Sequence, residues 1–214
     1  PETVIMTIAP AFVMFKISAM IARVRYVGVP IEADFSLDAN RVVAAMKEHQ
    51  PAIIFIAYPN NPTGNLFDQR VMQRIIEEAP GLVVIDEAYH VFAKKSFMAR
   101  LPEFSNMVVM RTLSKLGLAG LRLGYAIARP EWIRELDKVR GPYNVGVLTQ
   151  LIAEKILAHH QVLEDQALEI IGERDRLQLA LQAMPGVHAF PSSANFILVR
   201  VPDAHKVFAG LKER

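Results

Sequence analysis

Apolar residues along this chain come in two spacings that alternate through its first two thirds. Continuous runs at residues 4–8, 24–29, 53–57, 82–85, 107–110 and 123–128 are short and mostly rich in Val and Ile, and they predict strands of the buried kind. Between some of these runs the spacing becomes helical. Residues 38–48 bring Val42, Val43 and Met46 to one face, and Asp68 stands as the N-cap of a helix that turns Val71, Met72, Ile75 and Ile76 inward. Strand and helix in alternation predict βαβ units, hence an α/β fold with a mainly parallel sheet covered on both faces.

The character changes near Pro130, which sits where a first helical turn tolerates proline. A helix is expected over 131–140, ended by Gly141-Pro142. Residues 147–184 are helical in pattern, interrupted near His159-His160 and closed by Pro185-Gly186, so a long helix there is expected to link two domains. A strand is expected over 195–201 and the start of a helix over 204–212. The expected division is a large domain over 1–145, a helical interdomain region over 146–184 and the start of a small domain over 185–214.

Composition narrows the class. The 24 basic and 22 acidic residues among 214 leave a net charge of +2 with no basic stripe, so nucleic acid is not an expected partner. The absence of cysteine excludes disulfides, thiolate metal sites and cysteine nucleophiles. The N-terminal residues show no signal-peptide pattern, and no apolar run approaches the ~20 residues of a membrane span. A cytoplasmic protein without a membrane partner is expected. His159 and His160 are adjacent on a helix and cannot face one metal together, and no His-Glu-x-x-His is present, so no metal site is expected. Gly117, Gly120 and Gly124 do not make a dinucleotide fingerprint, and no Walker lysine motif occurs.

Sites in parallel sheets form at the carboxyl ends of strands. Three runs end in polar clusters: Tyr58-Pro59-Asn60-Asn61-Pro62-Thr63-Gly64, Asp86-Glu87-Ala88-Tyr89, and Thr112-Leu113-Ser114-Lys115 followed by Arg122. Each has a plain structural reading: the first as a turn, Asp86 as a helix cap, Lys115 as a solvated lysine. Their joint occurrence is what suggests chemistry. A carboxylate such as Asp86 keeps a pyridine nitrogen protonated and the ring electron-withdrawing. Asn61 and Tyr89 both donate to a ring oxygen. Lys115 supplies an amine that condenses with an aldehyde and shuttles a proton. Ser114 and the Arg122 fork suit a phosphate.

These three segments resemble the signatures of the fold-type I pyridoxal-phosphate-dependent aminotransferases. The string Thr-Leu-Ser-Lys-Leu-Gly-Leu-Ala-Gly-Leu-Arg-Leu-Gly-Tyr over 112–125 is most similar to the histidinol-phosphate aminotransferase family. The spacings of 25 residues from Asn61 to Asp86 and 29 from Asp86 to Lys115 also resemble that family. The resemblance implies a three-layer α-β-α large domain with part of a small α+β domain, and pyridoxal 5'-phosphate as cofactor. It implies Lys115 as the catalytic amine, and Asn61, Asp86, Tyr89, Thr112, Ser114 and Arg122 around the cofactor. Ala9-Pro10-Ala11-Phe12 resembles the family's Pro-x-aromatic motif, which makes Phe12 a candidate for stacking on the ring; a core role for Phe12 is the alternative. Asn195-Phe196 resembles the family's entry strand to the small domain.

Transamination of L-histidinol phosphate with 2-oxoglutarate, in histidine biosynthesis and within a homodimer, is the expectation that follows. Related enzymes acting on aromatic or other amino acids, or decarboxylating a phosphothreonine, share these motifs. The resemblance also implies a glycine-containing phosphate loop and a tyrosine from the neighbouring subunit ahead of Pro1, and a carboxylate-binding arginine after Arg214. Neither Arg200 nor Arg214 stands in the motif of that arginine. A truncated, non-catalytic piece is therefore the rival expectation.

Overall fold

A computed structural model describes residues 2–214. Six strands form one sheet: β1 (Val4–Ala9), β2 (Arg25–Pro30), β3 (Ile53–Ala57), β4 (Leu82–Asp86), β5 (Met107–Thr112) and β6 (Gly124–Ala128). Their order is β2-β1-β3-β4-β5-β6. All neighbouring pairs are parallel except β5 with β6, which run antiparallel. The expected mainly parallel sheet is therefore present.

Helices α1 (Val13–Ile21), α2 (Ala39–His49), α3 (Gln69–Glu78) and α5 (Pro130–Val139) cover the sheet, with the single turn α4 (His90–Ala93) between α3 and α5. On one face Met6, Ile54, Ile56, Val83, Ile85 and Val109 pack against Val42, Val43 and Met46 of α2 and Met72, Ile75 and Ile76 of α3. On the other face Leu82, Val84 and Val108 meet Trp132 of α5, and Phe15 of α1 stacks on Phe55 at 4.9 Å. Period-two alternation along each strand divides the side chains between these two layers. Asp68 caps α3 as expected, accepting the Arg70 and Val71 amides at 2.8 and 3.1 Å.

Two expectations need correction, and helix α1 has no counterpart among the expected elements. The runs at 24–29 and 123–128 become β2 and β6, the two edges of the sheet, and both carry exposed residues instead of being buried throughout. Helix α1 did not stand out in the pattern, because Val13, Met14, Ile17, Met20 and Ile21 are all exposed and blur its inner stripe of Phe15 and Ala19. The strand expected over 195–201 shrinks to β8 (Val199–Arg200), paired antiparallel with the unforeseen β7 (His188–Ala189). Upstream of β8 the backbone is taken up by local bonds: Ser192 Oγ donates to the Phe196 carbonyl and accepts the Ala194 amide.

The long helical stretch breaks where the His-His pair stands, giving α6 (Val147–Leu157) and α7 (His160–Gln182), and α8 (Ala204–Lys212) follows β8. No helix among the described residues is long and apolar enough to cross a membrane.

Candidate active site

The three polar clusters meet at the carboxyl edge of β3, β4 and β5. Asp86 is the last residue of β4, in register with Ala57 of β3 and Met110 of β5. Asn61 follows β3, and Lys115 lies in a 3-10 turn, Ser114–Leu116, directly after β5. That turn is closed by Gly117 in the left-handed region at φ 84°, a conformation glycine adopts without strain. All eight sequence-predicted residues, Phe12, Asn61, Asp86, Tyr89, Thr112, Ser114, Lys115 and Arg122, line one cavity of about 500 Å³. That volume lies within the range of a small-molecule site.

Asp86 is buried and contributes its carboxylate to the floor. Oδ1 accepts the Ala88 amide at 3.0 Å. Burial pushes its pKa up to about 6; the Ala88 bond opposes this, the neighbouring Glu87 charge adds to it, and the Lys115 ammonium opposes it again. The carboxyl therefore carries a desolvation cost that a cationic group placed beside it would relieve.

Across the cavity, Asn61 Nδ2 donates to the Tyr89 Oη at 3.3 Å, so the amide and the phenol stand side by side. The Lys115 ammonium lies 5.2 Å from the centre of the Tyr89 ring. Arg122 Nη1 donates to Ser114 Oγ at 3.4 Å, bringing a hydroxyl and a guanidinium together in one donor-rich corner of the cavity. Arg122 is itself left-handed, with φ 49°. It ends the 3-10 turn Ala119–Leu121, a helix-end conformation that costs an arginine roughly 1–2 kcal/mol.

The other two predicted residues are Phe12 and Thr112. Phe12 precedes α1, is 42% exposed and meets Phe15 edge-on at 5.9 Å, so it is a cavity residue and not a core one. Thr112 spends its hydroxyl on shape: Oγ1 donates to the Leu123 carbonyl at 3.2 Å and accepts the Ser114 amide at 3.1 Å. It builds the turn that carries Ser114 and Lys115.

Sequence reasoning passed over Glu87 and Arg111. Glu87 is fully buried; its carboxylate accepts from Arg111 Nε and Nη2 at 3.0 and 2.8 Å, from Ser96 Oγ, and from the Phe97 amide at 2.6 Å. Alternation continued one residue past β4 separates Glu87 from Asp86, although its pairing with Arg111 depends on the β4–β5 register. Asp86 faces the cavity, and Glu87 faces the layer beneath. His90 nearby is held below its ordinary value, first by burial and then by the Arg111 cation. Asn60 was also missed. It is buried, and its Nδ2 donates to Pro10 O and Thr63 Oγ1 at 3.1 and 2.7 Å, tying the turn before Gly64 to the segment that carries Phe12.

A family model described as Aminotransferase class I and II matches residues 1–214. Among curated proteins, histidinol-phosphate aminotransferase 1 of Ralstonia nicotianae is 54% identical across 100% of this chain and 59% of its own length. Histidinol-phosphate aminotransferase of Chromobacterium violaceum is 52% identical across 99% of this chain and 60% of its own. The chain thus spans about 60% of the length of these relatives. Among solved structures, the histidinol-phosphate aminotransferase from Clostridium acetobutylicum superposes with a TM-score of 0.91 at 23% identity, over 99% of this chain and 66% of that one. The histidinol-phosphate aminotransferase from Sinorhizobium meliloti in complex with pyridoxal-5'-phosphate gives 0.85 at 25% identity, over 100% and 59%.

Proposed function

This chain belongs to the class I and II aminotransferase family, and on that premise we propose that it is the cofactor-binding part of a pyridoxal 5'-phosphate-dependent transaminase. Its proposed substrates are L-histidinol phosphate and 2-oxoglutarate, as the names of its relatives suggest. The observation that carries the reading is convergence: carboxylate, amine, amide–phenol pair and hydroxyl–guanidinium pair line a single cavity.

The residues fit the cofactor by the chemistry of their donor set. Asp86 Oδ1 takes one backbone amide, which leaves the second oxygen of a desolvated carboxylate for a cationic ring nitrogen. Ser114 and Arg122 supply directional donors for a phosphate, Asn61 and Tyr89 donors for a ring oxygen, and Phe12 an aromatic face. When bound, the cofactor supplies an aldehyde and an electron-withdrawing ring that stabilises negative charge at the substrate's alpha carbon.

The protein's own groups do the rest. Asp86 keeps a proton on the ring nitrogen by opposing its charge. Lys115 Nζ would hold the aldehyde end of the cofactor and, as a free amine, would be the base that takes and returns the proton at the alpha carbon. Arg122 and Ser114 anchor one end, so that the reacting centre is presented to Lys115 in a fixed orientation. A large domain over 1–145, a helical connection over 146–184 and the beginning of a smaller domain over 185–214 are proposed as its organisation. A cytoplasmic homodimer is proposed as its setting.

The test is chemical. Purified chain incubated with pyridoxal 5'-phosphate and then borohydride is expected to carry one adduct, located by mass spectrometry at Lys115 and lost in Lys115→Ala. An unmodified Lys115 would overturn the reading.

A further inference from the structure

The segment 190–196, which joins β7 to β8, is fastened to the parts of the chain that carry Asn61 and Tyr89. Phe190 packs on Phe35 with ring centres 4.7 Å apart. The Ser193 amide donates to the Gly64 carbonyl at 2.7 Å. Gly64 has φ 76°, and a Cβ there would come within 2.7 Å of Ser192 Oγ, so glycine is what permits this close approach. On the other side, Arg174 of α7 donates through Nη1 to the Ala194 carbonyl at 3.1 Å and to the Phe92 carbonyl at 3.5 Å. The arginine side chain is only 12% exposed, and one guanidinium therefore bridges this segment to the end of α4, just beyond Tyr89.

Phe196 closes the arrangement. Its ring meets the Tyr89 ring at 82° with centres 5.2 Å apart, the edge-on geometry that aromatic quadrupoles favour. A half-buried tyrosine ring can turn about its side-chain torsions, and a single 3.3 Å hydrogen bond from Asn61 does not by itself fix them. A perpendicular ring on one side and the Lys115 ammonium 5.2 Å from its centre restrict how it can turn.

We propose that Phe196, on a turn fixed by Arg174, is a positioning residue that holds the Tyr89 phenol against Asn61 and aims both groups into the cavity. Its consequence for a cofactor rests on the pyridoxal 5'-phosphate reading above; the placement of the ring does not.

Two measurements on the full chain separate these. In the first, the Asn61 side-chain amide resonances of the ¹⁵N-labelled protein, assigned with Asn61→Asp, are compared in wild type, Tyr89→Phe and Phe196→Leu. The Phe196→Leu amide is expected to move to the position it takes in Tyr89→Phe. An amide that stays at its wild-type position overturns the proposal. Arg174→Gln, which keeps both aromatic side chains but removes the guanidinium bridge between the Ala194 and Phe92 carbonyls, is expected to move the resonance in the same direction, and it decides the matter if Phe196→Leu fails to fold.

In the second, equilibrium dialysis with pyridoxal 5'-phosphate is expected to show binding weakened about fivefold by Phe196→Leu, the worth of one hydrogen bond. In a Tyr89→Phe background the same substitution is expected to cost nothing further. Equal losses in both backgrounds overturn the proposal, because Phe196 would then act independently of Tyr89. Wild-type protein that binds no cofactor overturns the reading of the site instead, while the resonance shift still decides the placement of Tyr89.

Discussion

Burial lifts the Asp86 carboxyl from 3.8 to about 6, and the sign of that change fixes what the residue does to stability. The folded protein holds the proton more tightly than the unfolded chain, so Asp86 is least costly below about pH 4 and becomes progressively costlier as pH rises through 6. Moving a carboxyl over that interval corresponds to roughly 3 kcal/mol, an upper bound for so buried a group. Asp86→Asn removes the ionisation while keeping an acceptor for the Ala88 amide. Urea denaturation at pH 8 is expected to find the variant more stable than wild type by up to that amount, with the gap vanishing near pH 3.5. A variant less stable than wild type at pH 8 would refute the assignment of burial as the main cause.

Between elements, the Glu87–Arg111 ion pair adds a side-chain link to the backbone bond that the Glu87 amide makes to the Met110 carbonyl at 2.8 Å. It joins the residue after β4 to β5 just ahead of the turn that carries Lys115. Arg111→Met leaves the Glu87 carboxylate buried without its cation and is expected to cost about 3–5 kcal/mol in denaturant unfolding. Adding Glu87→Gln removes the stranded charge, so the double variant is expected to lose clearly less than the two single losses combined. Strict additivity would deny the pair its coupling.

The same elements show where the sequence was legible. Central strands β3, β4 and β5 and helices α2 and α3 could be read directly, because their apolar periods match the faces they bury. Helix α1 and the edges β2 and β6 were harder, since exposure there breaks the link between hydrophobicity and burial. The cavity residues were legible as types at strand exits. Glu87 and Arg111 were not, because their pairing depends on strand register, which local patterns do not specify.

At the scale of the molecule, the cavity draws on β3, β4, β5 and β6 and on Phe12 ahead of α1, so a ligand bound there is coupled to the cooperative unfolding of the whole sheet and not to a local loop. A ligand that binds only the folded state stabilises it by about 2.7 kcal/mol at a hundredfold excess over its dissociation constant. For a chain of this size that amounts to a rise in melting temperature of roughly 5–11 °C. Pyridoxal 5'-phosphate is expected to produce such a rise, measured by differential scanning calorimetry at pH 7.5. Pyridoxal, which lacks the phosphate, is expected to give a much smaller one at the same concentration, because Ser114 and Arg122 then have no dianion to bind. Equal rises for the two compounds would remove the phosphate role from that corner while leaving Asp86 and Lys115 in place. No rise with either compound would mean that the convergence of groups in the cavity does not amount to a binding site for this cofactor.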